Sequence, residues 1–176
     1  MLKHVGLAII AVSVVAAASV GGAVAMAGSC SSGQIMKTGP YTFALTIGPA
    51  EQMYSAAQVK AKHPKSGEVM LSGTMAAMSM GGSTRHLEVH VCTSSGAVVM
   101  GAHPTIMVDD PMAKTMMMSV PIATMEGIGM GSSDYHYGNN VDLTAGHHVT
   151  VTVTLNGHHA VFHTTVPKAG AMSMSG

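Results

Sequence analysis

"HHVTVTVTLNGHHAVFHTTV", residues 147–166, carries the pattern from which the rest of the chain can be read. Val149, Val151, Val153 and Leu155 alternate with Thr150, Thr152 and Thr154, the period of a strand with one buried face. Asn156-Gly157 then supplies the two left-handed residues of a type I′ hairpin turn, and the alternation resumes through Ala160, Phe162 and Thr164. In that register His163 faces Thr150 with His148 as its diagonal neighbour. His159 and His163 therefore share a polar face with the threonines.

The same period recurs toward the N-terminus. "YTFALTIG" from Tyr41, "EVMLSGTM" (68–75), "RHLEVHVC" (85–92), "AVVMG" (97–101), "TIMVDD" (105–110) and "TMMMSVPIATM" (115–125) all read as strands. Pro121 should place the last of these at an edge or divide it. "AEQMYSAAQVKAK" (50–62) is the one helical stretch, stopped by His63-Pro64, and Gly127 to Asn140 reads as a long glycine-rich loop. About seven short strands with frequent turns predict an all-β fold, an immunoglobulin-like antiparallel β-sandwich, with a closed barrel as the competing architecture. The domain spans 41–168, after a flexible tether over 30–40 and before a methionine-containing tail over 169–176.

Residues 1–29 have the form of a signal peptide: Lys3, a long uncharged apolar run, then small residues. Ala25-Met26-Ala27 fits ordinary cleavage, whereas Ala27-Gly28-Ser29-Cys30 resembles a lipobox and predicts a lipoprotein with lipid on Cys30; an uncleaved anchor is the third reading. Each places the domain outside the cytoplasm, in the cell envelope, periplasm or medium. With Cys30 acylated, Cys92 lacks an intramolecular partner; with ordinary cleavage the two cysteines can pair.

Formal net charge is +0, so no basic surface offers itself to nucleic acid. No phosphate-binding glycine pattern, nucleophile elbow or nucleophile–base pair stands out, and catalysis finds little support. The composition is unusual in its 18 Met and 11 His. Together, outside the cytoplasm, they point to a soft or borderline metal.

Three segments concentrate the ligands. "MSMGGSTRHLEVHVC" (78–92) places His86, Glu88, His90 and Cys92 on one strand face, with thioethers Met78 and Met80 just before. His86 and His90 stand roughly 13 Å apart along such a strand, too far for one ion to take both. "SDYHYGNNVDL" (133–143) offers His136 between two tyrosines, and the polar hairpin face offers His159 and His163. "MSMSG" (172–176) repeats the paired thioethers.

"HLEVHV" resembles the "HLEADI" motif of bacterial periplasmic iron-transport proteins, immunoglobulin-like metal binders associated with ferrous-iron permeases. "SDYHYGNNV" is similar to their "SDGPHYGNN" segment, and "IGPAEQM" (47–53) to an early family strand. The resemblance covers roughly 42–143 and implies a copper site, with iron as a further cargo. It implies His86 and His136 as imidazole ligands and Met80 as the thioether, with Met78 the alternate. Glu51 is implied as a fourth ligand, and Glu88 as a further ligand or a group bracing the others. Homodimers are implied too. The chain departs from the family in having His90 where it has an acid and Tyr135 where it has Pro. The expectation is an extracytoplasmic copper-binding protein, accessory to iron or copper uptake or homeostasis. It would serve a membrane permease or oxidase and would not be an enzyme. The rival is a cell-surface protein-interaction module whose histidines have no metal role.

Overall fold

A computed structural model describes residues 30–75, 83–114 and 117–168. They form eleven strands: β1 (Gln34–Thr38), β2 (Tyr41–Pro49), β3 (Met53–Ser55), β4 (Glu68–Gly73), β5 (Thr84–Thr93), β6 (Thr105–Asp109), β7 (Met117–Ser119), β8 (Ala123–Gly127), β9 (His136–Asp142), β10 (His148–Leu155) and β11 (His158–Thr165). One helix, α1 (Ala56–Lys62), and a 3-10 turn, Gly131–Asp134, complete them. A seven-stranded sheet, ordered β1-β2-β5-β9-β8-β4-β3, packs on a four-stranded sheet, β11-β10-β6-β7. The result is a sandwich-like all-β fold, antiparallel apart from the β3–β4 pair.

The alternation positions the core. Phe43, Leu45, Leu87, Val89 and Val91 from the large sheet share one buried cluster with Ile106, Val108, Val149, Val151, Val153 and Phe162 from the small one. Burying each such side chain contributes about 1.5–3 kcal/mol. The terminal hairpin has the expected register, with Thr150 opposite His163 and Asn156 at φ 49° in the turn.

Several elements differ from the sequence expectation. The 30–40 tether contains β1, which pairs with β2 along its length; its polar "QIMKT" hides an edge strand, whose exposed face needs no apolar alternation. The helix begins only at Ala56, because Met53–Ser55 pairs with β4 and Ser55 forms a capping box with Gln58. Residues 97–101 form only a bridge, Val98 to Cys92. Strand 115–125 is divided at Pro121 into β7 and β8, which lie in different sheets. The 127–140 loop instead ends in β9, so His136 stands on a strand.

Cys30 is disulfide-bonded to Cys92. That sulfur cannot also carry a thioether-linked lipid, so the lipidated reading of Cys30 gives way to the paired one. The bond closes a loop of sequence separation 62, which favours the fold by about 4 kcal/mol on chain-entropy grounds. The signal segment, residues 1–29, and the methionine tail, 169–176, lie outside the described residues.

The large sheet is rolled. β2 and β3 stand five strands apart in its order, roughly 24 Å if it were flat. Yet Pro49 and Met53 are joined by a link that can reach only about 14 Å. The sheet must therefore curl until its β4–β3 edge approaches β5, helped by an irregularity in β4 between Met70 and Ser72. The concave interior buries the polar face of β5, so that His86 and His90 are each only 3% exposed.

Candidate metal centre

Four strands deliver side chains into this concavity. β5 contributes His86, Glu88 and His90, β9 contributes His136 and Asn140, β4 begins with Glu68, and β8 places Met125 directly opposite His136. Gly138 lies across from Glu88, and a Cβ there would meet the Leu87 carbonyl oxygen; only a bare backbone lets β9 come this close.

The hydrogen bonds fix the imidazoles. Asn140 is clamped to the Glu51 backbone, its Oδ1 accepting from Glu51 N at 3.1 Å and its Nδ2 donating to Glu51 O at 2.7 Å. With Asn140 so oriented, its Oδ1 can only accept from His86 Nδ1, 3.1 Å away. His86 therefore carries its proton on Nδ1 and an unshared pair on Nε2. His136 Nδ1 donates to the Asp134 carbonyl at 2.7 Å, so its unshared pair also lies on Nε2. The two Nε2 atoms stand 3.4 Å apart, each an acceptor facing an acceptor. Neutral imidazoles have no proton to place between them. A cation would resolve that conflict.

Glu68 sharpens the case. It is 6% exposed, its Oε2 has no hydrogen-bond partner among the described residues, and it stands 3.8 Å from His136 Nε2. Burial, with Glu51, Asp134 and Glu88 nearby, pushes its carboxyl up to about 8. Glu68, His86 and His136 each offer a ligand atom, all within 4.8 Å of one another.

A second donor set adjoins the first: Glu88, His90, Asp134 and His136, again within 4.8 Å. His90 Nδ1 donates to Tyr135 O at 3.0 Å, which turns its Nε2 onto Glu88. Burial alone would lower His90, but its contact with Glu88 leaves it raised; burial alone would raise Glu88, but His90 and the other imidazoles hold it low. His136 is lowered, first by burial and against the pull of Glu88, so it stays neutral and fit to ligate. Since His136 has one unshared pair free, the two sets cannot both use it at once.

His86 and His136 thus come together, while His90 falls in the other set, as strand rise requires. Glu88 is in that second set. Glu51 joins neither set; its backbone braces Asn140 and its carboxyl raises Glu68. Met80 and Met78 lie outside the described residues. His159 and His163 lie on β11 of the small sheet. Cys92 is tied to Cys30 rather than free. Sequence reasoning missed Glu68, which opens a strand with no spacing relation to the other ligands. It also missed Asp134 and Asn140, although both lie inside the "SDYHYGNN" segment it singled out.

Two more thioethers than expected flank the centre. Met53 and Met125 are buried in a small cluster with Ala123 and Met70, and Met53 Sδ receives the Asn140 amide at 3.5 Å. A scan of protein-family models and searches of curated proteins and of solved structures find no match to this chain.

Proposed function

We propose that this chain is an extracytoplasmic copper-binding protein that holds one ion at the His86–His136 centre and passes it to or from a membrane partner. The reading is carried by two pinned imidazoles whose unshared pairs meet at 3.4 Å, beside an unsatisfied buried carboxylate oxygen. Imidazole with thioether close by suits copper in both oxidation states, whereas Ca²⁺ and Mg²⁺ require oxygen cages. Bound copper would supply a positive charge and a redox couple; the protein supplies the imidazole geometry, the carboxylates and the exclusion of water. The Cys30–Cys92 bond fits an oxidising compartment.

The oxygen-richer set of Glu88 and Asp134 with His90 and His136 favours ferrous iron as a second cargo. The test is competition titration of Cu(I), Cu(II) and Mn(II), the last as a ferrous mimic, with His136→Ala beside the wild type. Tight copper binding abolished by the substitution supports the reading. Weak binding of every metal, unchanged by it, leaves the protein-interaction module.

A further inference from the structure

The outer face of the small sheet carries a second constellation. Thr150 is its floor: His163 stands opposite on β11, Asp109 opposite on β6, and His148 two residues along β10. All three flanking residues are exposed. Thr150 Oγ1 holds His163 Nδ1 at 3.1 Å, and Thr165 Oγ1 holds His148 Nδ1 at 2.9 Å. With both Nδ1 atoms engaged by threonine, each ring's free nitrogen is Nε2, turned away from its hydroxyl. The three side chains line one open cleft of about 490 Å³, with Pro111, Thr150 and Thr165.

The neighbouring hairpin histidine makes an internal comparison. Thr154 Oγ1 holds His159 Nδ1 at 2.9 Å, the same device, but the β6 residue opposite Thr154 is Thr105 rather than an acid. His159 also lies outside the cleft.

The geometry points to a second, solvent-facing site for a borderline divalent cation such as Zn²⁺ or Cu²⁺, formed by His148, His163 and Asp109. Two threonine-braced imidazoles and one carboxylate around a shared floor are the donor set such ions take, and thioether is absent among its named donors. The side chains must close by rotation about a fixed backbone: His148 is a diagonal neighbour of both others, roughly 7–8 Å away, while Asp109 and His163 stand two strand spacings, roughly 10 Å, apart on either side of Thr150. The site does not depend on the buried centre.

The experiment is equilibrium dialysis of the full, untagged chain against Zn²⁺, with metal counted per chain. Compared with wild type are His148→Ala/His163→Ala, Asp109→Asn, His159→Ala and His86→Ala/His136→Ala. Loss of one bound ion in the surface double variant, weaker binding in Asp109→Asn and no change in His159→Ala are expected. That loss should recur when the surface pair is removed from the His86/His136 variant. Zn²⁺ occupancy unchanged by the surface double variant overturns the site. So does a loss equally produced by His159→Ala, which would mean unspecific histidine binding. If only the surface pair alters Zn²⁺ occupancy, this site stands apart from the buried centre, which the copper titration tests separately; if only His86/His136 alters it, the surface site is overturned.

Discussion

At the scale of single residues, Asn140 decides what His86 can do. Its amide is set by the Glu51 backbone, and that setting forces the His86 proton onto Nδ1. Removing such a bracing partner typically lowers metal affinity roughly 10–100-fold. Asn140→Ala should therefore weaken copper by that range while His86 remains in place, measured by chelator competition; unchanged affinity would mean the tautomer is set elsewhere. Glu68 makes a prediction about pH. Its folded value, about 8, lies above the ordinary 4.5. Its contribution to stability is thus full below about pH 4.5 and lost as pH rises through 8, on the order of 5 kcal/mol across that window. The metal-free wild type should lose stability relative to Glu68→Gln as pH rises from 5 to 8.5, read from urea midpoints. Parallel curves for the two proteins would contradict it. Neither residue was legible beforehand, because both act through neighbours distant in sequence.

Among the elements, the close β5–β9 pair and the disulfide hold the concavity's wall. Gly138→Ala would press a methyl group into the Leu87 carbonyl, and overpacking of this kind costs about 1–3 kcal/mol. The same substitution should disturb His136 two residues away, lowering copper affinity along with the thermal midpoint. Replacing both cysteines by serine should cost about 4 kcal/mol in denaturant unfolding, with the proposed metal ligands untouched. Most strands could be read from sequence: β10, β11 and β5 from their alternation, and β2, β4, β6, β7 and β8 from short apolar runs bounded by turns. β1 could not, since an edge strand is specified by its partner rather than by its own alternation. The His86–His90 side of β5 could be read as a ligand-bearing face, but not as a buried one, because alternation does not say what will cover it.

For the whole molecule, the decisive feature is the rolled sheet. Fold class follows from period and turns, and both survive in the structure as two packed sheets. The roll depends on a short link between β2 and β3 and on an irregularity in β4, neither of which has a sequence signature. It turns a strand face into an enclosure where three imidazoles and three carboxylates lie within ligating reach. Anomalous diffraction at the copper edge, on crystals grown with one equivalent of copper, would locate any ion at the His86–His136 centre. A single buried copper bonded to Nε2 of both His86 and His136 is the predicted result. A copper-free centre, with the two rings closed on each other through a shared proton, would rule out copper binding there.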